Sequence, residues 1–340
     1  MRILKFESTE AFIALDLDGA DASSGPVRWA PKVLQGGAKD LARSQTYTYA
    51  ALEMRRGGAS AGISAAPDAR GPAVEAFVAE VAALVADSTY LPDAAKGVSI
   101  DDLAVLRADD PRDSARLDVA ATTFDSLSAA VTADAIVGLD GRTVAIEGFG
   151  EAGPDLAAAI ATCGGKLIAV STSVGTVTDN TGIETDALTE AFAAEGADSV
   201  QRFGDVGHPM AIFGSGADIT FTGSKTGIVD HTVAGQLAGS VALVASGRLP
   251  LTARALAVLR AADVAVPADF ISLAGGTIAA WGDPARADSE VTNEITATVT
   301  ELCNEHRNHD EGPFLAACYA AESFLSTWQD TLPFGRPLAP

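Results

Sequence analysis

One stretch of the chain has the residue types and spacing of a phosphate-binding turn: Gly148-Phe149-Gly150-Glu151-Ala152-Gly153, a G-x-G-x-x-G pattern. It follows a short apolar run, Thr143–Glu147, and opens a helix-like segment, Pro154–Thr162. A second apolar run, Lys166–Ser171, begins about 20 residues on. In that setting Gly148 permits a tight turn, Gly150 lets the backbone approach a pyrophosphate, and Gly153 lets helix and strand pack closely. The helix N-terminus then offers free N–H groups and a positive dipole end to the anion. The expected cofactor is NAD or NADP, bound along Gly148, Phe149, Gly150, Glu151, Ala152 and Gly153. An NAD site usually closes its second strand with Asp or Glu, which accepts from the ribose 2′-hydroxyl. Here that position reads Val170-Ser171-Thr172-Ser173. Small hydroxyls, with Thr172 foremost, tolerate a 2′-phosphate better than an acid does, so the lean is toward NADP. No arginine lies nearby to pair with that phosphate, and weakened cofactor binding is the competing reading.

Other chemistry is sparse. His306 and His309 stand three residues apart, but no further ligand accompanies them, and no metal site is expected. No G-x-S-x-G elbow, Ser–His–Asp set or Walker loop occurs, which disfavours a hydrolase or a P-loop nucleotidase. Three cysteines, Cys163, Cys303 and Cys318, lack the spacing of a disulfide framework and point to a reducing compartment.

The elements that must position the turn follow an α/β alternation. Met1–Phe6 and Ala11–Asp16 suit strands, Ser23–Val27 is turn chemistry, and Gly37–Arg55 and Pro72–Ala86 read as helices. Arg56–Ile63 is glycine-rich and leads into a short strand. From Thr143 to about Ala274 strands alternate with 9–14-residue helices, the signature of βαβ units and a parallel sheet. The tail, about Ser289–Gln329, reads as one or two helices. The expected organisation is two α/β domains, one over residues 1–120, to which the family resemblance given below assigns substrate binding and oligomerisation, and a Rossmann dinucleotide-binding domain over 121–280, with C-terminal helices over 281–340 that return to the first domain.

The 340 residues are 48% apolar and 20% charged, enough to bury a sizeable core. Lys plus Arg is 23 and Asp plus Glu is 45, a formal net charge of −22. That field repels phosphate backbones and anionic lipid, so neither nucleic acid nor membrane is an expected partner. The N-terminus lacks the basic start and apolar run of a signal peptide, and no apolar run reaches the roughly 18 residues of a membrane span. A cytoplasmic location is expected.

The order of parts, with a non-Rossmann first domain before a late dinucleotide fold, resembles the glutamate/leucine/phenylalanine/valine dehydrogenase family, particularly its shorter leucine-type members. The resemblance runs from about Gly25 to about Trp281. Its clearest stretches are Leu41–Ile63, Tyr90–Leu103, Thr143–Leu188, Ala217–Asp230 and Ala265–Thr277. The first follows the family's ARGMTYKNA…GGGKxxI and the last its PDxxxNAGG. The family oxidatively deaminates L-amino acids. One lysine holds the substrate carboxylate, a second activates the attacking water, and an aspartate moves protons to and from the amine.

In this chain the residues implied for that chemistry are replaced. The lysine of MTYK falls on Thr48, the lysine of GGGK on Ser60 and the aspartate on Ala95. Two asparagines fall on Arg248 and Leu273. Thr122 and Thr123 match the family's ATGxG beside the nicotinamide, and Lys225 falls on a segment that passes over the cofactor. Arg55, Arg56 and Lys96 are the cations placed to replace the missing lysines, Lys96 adjoining the aspartate position. Of Tyr47 and Tyr49, one is expected in the core and the other at a cleft or surface. The ligand cleft is expected between Thr46–Ser60 and Gly148–Gly153, lined by hydroxyls and suited to a neutral or carrier-linked small molecule, or else to a carboxylate held by Arg55, Arg56 or Lys96. The resemblance thus implies a diverged NAD(P)-dependent oxidoreductase acting on an amino acid, imine or related small molecule, with ordinary deamination doubtful. The alternative is a non-catalytic family member serving as a binding or partner subunit. A homodimer or higher homo-oligomer is implied, and an active paralogue is a possible partner.

Overall fold

The computed structural model describes residues 1–340. They divide into two units, Met1–Asp118 with Tyr319–Pro337, and Val119–Cys318 with Leu338–Pro340.

In the first unit five strands, β1 (Arg2–Lys5), β2 (Ala11–Leu15), β3 (Ser23–Ala30), β4 (Gly57–Ser64) and β5 (Leu91–Ala94), form a mixed sheet in the order β1-β2-β4-β3-β5. β1 and β2 run antiparallel, whereas β3 runs parallel to both β4 and β5. Ser23–Val27, expected as a turn, is instead an interior strand. The β3–β4 ladder is interrupted at Gly25-Pro26, between the pairs Ser24↔Gly58 and Val27↔Ala61. Proline has no N–H to give, which explains why these residues read as turn chemistry. Helices α1 (Gln35–Ala51) and α2 (Arg70–Ala86) accompany the sheet. α1 lies directly on β4: a Cβ on Gly58 would fall 1.8 Å from the Ala42 carbonyl oxygen. Thr46 completes the join, its hydroxyl accepting from the Gly58 N–H at 2.9 Å.

The second unit is built on β6 (Thr143–Glu147), β7 (Lys166–Ser171), β8 (Thr176–Thr178), β9 (Ile219–Thr222) and β10 (Ala242–Ala245), ordered β10-β9-β6-β7-β8. All pairs are parallel except β7–β8. The buried strands bear near-continuous apolar runs, as a sheet covered on both faces requires. Helices α3 (Asp125–Val137), α4 (Gly153–Thr162), α5 (Thr185–Glu195) and α6 (Ala253–Ala261) supply the apolar faces. The core joins Val144, Ile146, Leu156, Ile160, Leu167, Val170 and Phe221. Ala211–Gly214, an apolar run within the alternating region, is part of a 3₁₀ segment, Pro209–Gly214, with Pro209 at its start. Ala265 contributes a single bridge to Ala242 rather than a strand.

The tail forms two helices, α7 (Asp288–His306) and α8 (Pro313–Leu325). Only residues from Tyr319 to Pro337 group with the first unit. α7 stays with the second: Val291, Ile295, Val299 and Cys303 are buried, α7 packs on α3, and Arg307 beyond it donates to the Ala135 carbonyl at 3.3 Å. The apolar stripe at helical spacing is satisfied there, which corrects the expectation that all of 281–340 returns to the first domain. His306 lies in this packing and is buried, and burial lowers its pKa; His309 is exposed. No group of His, Cys, Asp and Glu is arranged to hold a metal ion, and no helix is long and apolar enough to cross a membrane.

Candidate dinucleotide site and the first-unit pocket residues

β6 ends at Glu147 and the chain turns at Gly148, whose φ of +79° is the left-handed region that glycine adopts at little cost. A Cβ there would also lie 2.6 Å from the Ser224 Cβ. The turn is tied to β7 by the Phe149 N–H, which donates to the Ser171 carbonyl at 2.7 Å, and by the Gly148 N–H, which donates to the Ser171 hydroxyl at 3.3 Å. The Phe149 ring enters the core and meets Phe192 edge-on, so only its backbone is free for a ligand. A Cβ on Gly153 would strike that ring at 2.7 Å. Gly150 differs from both, because a Cβ there meets nothing nearer than 3.8 Å. The N–H groups of Gly150, Glu151 and Ala152 donate to no protein acceptor. An open glycine, unpaired N–H groups and the start of α4 fit the pyrophosphate of NAD or NADP.

The surroundings are acidic. Glu151 is exposed, and Asp155 in the first turn of α4 accepts from the Thr123 hydroxyl at 2.8 Å. That bond ties α4 to a π-helical turn, Ala120–Phe124. Thr122 is half-buried and donates to the Val119 carbonyl at 3.3 Å. At the end of β7 the Thr172 hydroxyl is spent: it donates to the Ala197 carbonyl at 2.7 Å and accepts from the Val174 N–H at 3.2 Å. Lys225 is exposed and follows Ser224, the residue packed on Gly148, so its loop borders the turn. Two features were missed in the sequence. Glu147 is a buried carboxylate at the end of β6. Leu249, after β10, holds a left-handed φ of 55°, and its N–H donates at 2.8 Å to the buried carboxylate of Asp269. Arg248 beside it is half-buried and Leu273 is buried.

In the first unit Thr48 and Ser60 are both fully buried. The Thr48 hydroxyl donates to the Ser44 carbonyl at 3.3 Å, and the Ser60 hydroxyl to the Pro26 carbonyl at 3.0 Å. Neither presents a hydroxyl at an open surface, contrary to the hydroxyl-lined cleft expected of them. Tyr47 and Tyr49 are also both buried, where one was expected outside the core. Each finds a partner for its O–H: Tyr47 donates to Glu322 at 3.0 Å and Tyr49 shares a bond with Ser24. Both faces of α1 are therefore covered, one by β4 and one by the tail.

Ala95 is half-buried just beyond β5 and Lys96 is exposed. Arg55 lies over the Trp328 ring, 5.5 Å from its centroid, and Arg56 is half-buried with its pKa lowered by burial. Arg112, by contrast, is buried and ion-paired to Asp93 at 2.6 Å and to Asp110 at 2.8 Å. Burial opposes its charge, but the two carboxylates outweigh that and raise its pKa. Arg28 carries no motif by which sequence reasoning could single it out. It is half-buried on β3, two residues past Pro26, and makes no ion pair or hydrogen bond through its side chain. Burial lowers its pKa.

A mostly parallel sheet with a glycine turn between its first strand and helix is the architecture of a Rossmann-type α/β domain. Residues 119–315, more than half of the chain, match the model of the Glutamate/Leucine/Phenylalanine/Valine dehydrogenase family. The chain belongs to that family. Solved structures share its fold at low identity. Hetero-hexameric glutamate dehydrogenase from Thermus thermophilus, in its Leu-bound form, is 20% identical, with 93% of this chain and 83% of that one covered and a TM-score of 0.76. Another glutamate dehydrogenase reaches a TM-score of 0.80 at 18% identity, with 96% and 85% covered. L-tryptophan dehydrogenase from Nostoc punctiforme is 19% identical, with 96% and 97% covered and a TM-score of 0.66. Among curated proteins, none matches the sequence significantly.

Proposed function

We propose that the protein is a diverged NAD(P)-dependent oxidoreductase of the amino-acid dehydrogenase type, for which ordinary oxidative deamination is not the principal reaction. The observation that carries this reading is the contrast at Gly150. The turn is open and its N–H groups are unpaired, while the positions of the family's two lysines hold buried, bonded Thr48 and Ser60. A bound nicotinamide supplies hydride transfer. The chain supplies the backbone cradle, with Lys225 as a phosphate contact and Thr122 and Thr123 bordering the nicotinamide. Losing two general acid–base groups costs about 10²–10⁴-fold each, so deamination that needs an activated water is disfavoured. Hydride transfer to a preformed imine asks for fewer such groups. Arg28 is the half-buried cation free to pair with a ligand carboxylate, in place of Arg55, Arg56 or Lys96. A carboxylate there would relieve an unpaired buried charge. The bonded hydroxyl at Thr172 leaves no acid to repel a 2′-phosphate, which keeps the lean toward NADP.

Assay of L-amino acids, and of 2-oxo acids with ammonia or methylamine, at the nicotinamide absorbance tests this. Turnover of an imine pair above that of leucine, valine, phenylalanine or glutamate supports the reading. Robust deamination of those amino acids refutes it. The second reading is a non-catalytic subunit, favoured by the full burial of Thr48 and Ser60. The Thermus thermophilus protein is hetero-hexameric, so unlike subunits can assemble on this fold, and an active paralogue is the natural partner. Calorimetry with NAD, NADH, NADP and NADPH separates the two, since binding of none selects the subunit.

A further inference from the structure

We propose that Glu147 is the positioning residue of the dinucleotide site: its carboxylate holds the loop after β9 against the glycine turn, so that Lys225 in that loop meets the cofactor phosphates. The inference rests on the dinucleotide reading above.

Glu147 is the last residue of β6, directly before Gly148, and is 6% exposed. The β6–β9 ladder pairs Val144↔Ile219, Ala145↔Thr220 and Ile146↔Phe221, then stops. From there the side chain takes over from the backbone. One oxygen, Oε2, accepts from the Thr222 hydroxyl at 2.9 Å, the Gly223 N–H at 3.0 Å and the Ser224 N–H at 3.2 Å. Three consecutive residues of the loop are thus fixed by a single acceptor. The fixed loop is wedged from two sides. A Cβ on Gly148 would lie 2.6 Å from the Ser224 Cβ, and a Cβ on Gly223 would lie 2.1 Å from the Gly247 nitrogen. Glycine at both places allows the turn, the β9 loop and the β10 loop to meet backbone to backbone. Lys225 is the next residue and is exposed.

The chemistry explains why such a clamp is needed. Pyrophosphate at this turn meets Glu151 and Asp155 nearby, so a cation must be held in place rather than left on a free loop. Three donors on one oxygen stabilise the Glu147 carboxylate beside the turn. Ionised carboxylate acceptors form hydrogen bonds about twice as strong as neutral ones. A glutamine keeps one acceptor oxygen and can preserve the clamp. Aspartate keeps the charge but loses the reach.

Fluorescence titration of NADH and NADPH into the full chain decides the matter. The variants are Glu147→Ala, Glu147→Asp, Glu147→Gln, Lys225→Met and the double variant Glu147→Ala with Lys225→Met. The two clamp-breaking single variants should each bind about tenfold more weakly, and Glu147→Gln within about twofold of the parent. The double variant should bind no more weakly than the weaker of its single parents, because an unpinned Lys225 has little left to lose. Exchange of the Gly223 and Ser224 amide protons should quicken in Glu147→Ala and not in Lys225→Met. Should Glu147→Ala fail to fold, Glu147→Asp carries the same comparison in its place. Multiplicative losses in the double variant overturn the proposal, as does a fall in melting temperature with unchanged affinity. If the parent binds neither dinucleotide, the functional reading falls and this inference with it. Binding by the parent with multiplicative losses sinks only this inference.

Discussion

Gly58 and Gly150 are the same residue put to opposite uses. Gly58, at the start of β4, has no room: its missing Cβ would sit 1.8 Å from the Ala42 carbonyl oxygen of α1. Gly150 faces open space, with nothing nearer than 3.8 Å. The first glycine brings a helix onto a strand. The second leaves a surface a ligand can approach. Around Gly58 the neighbouring side chains, Thr46, Thr48 and Ser60, are buried and spend their hydroxyls on backbone groups. Around Gly150 three N–H groups have no acceptor. The side chains around Gly58 are closed in, whereas the turn at Gly150 stands open.

The sharpest way to break that comparison is to place lysines at Thr48 and Ser60, where the family resemblance implies them. Thr48→Lys with Ser60→Lys places two ammonium groups where side chains are fully buried. Uncompensated buried charge costs about 3–5 kcal/mol, so urea denaturation should show a loss of that order and no gain of amino-acid binding. A double variant as stable as the parent that binds leucine or glutamate would show the first unit to be open after all.

Next comes Gly150→Ala. The added methyl meets no protein atom, so the melting temperature should stay within about 1–2 °C of the parent. Dinucleotide affinity should fall about tenfold or more, since the backbone can no longer approach the pyrophosphate. Equal affinity would reduce the glycine turn to a packing device. An unpaired guanidinium gives a smaller effect. Arg28→Met should leave stability within about 1 kcal/mol, because no partner is orphaned. Binding of any 2-oxo acid the parent takes up should weaken, and unchanged binding would remove Arg28 from the site.

The sequence showed these two regions unequally, for physical reasons. The glycine turn is local: strand, turn and helix are consecutive, so their order alone places Gly148 and Gly153. The interior strand β3 was misread because Ser23-Ser24-Gly25-Pro26 has turn composition, and only its neighbours β4 and β5 hold it in a sheet. Burial of Tyr47 could not be read locally either. Its hydroxyl partner, Glu322, lies 275 residues away. Arg28, Glu147 and Asp269 escaped for the same reason. Their significance rests on what does or does not face them across the fold, which one chain segment does not display.

The tail that covers α1 supplies the smallest effect. Glu322 accepts from Tyr47 on α1 at 3.0 Å and from Arg336 at 2.7 and 3.0 Å. Burial alone would raise its pKa, but the bonds from Arg336 and Tyr47 outweigh burial and hold the carboxyl below its ordinary value near 4.5. A carboxylate depressed on folding stabilises the folded state at pH values above its unfolded pKa. That contribution fades as pH falls from about 4.5 through the lower folded value. The group is half-buried and partly screened by solvent, so the gain is small, about a few tenths of a kcal/mol. Melting of the parent and of Glu322→Gln between pH 7 and pH 3 should therefore differ slightly at neutral pH, and the difference should shrink as pH falls through the lowered folded value. Curves that stay parallel across that range would mean that the tail is held by Arg43, which donates to the Phe334 and Gly335 carbonyls while paired with Asp16, and that the closed face of α1 owes nothing to Glu322.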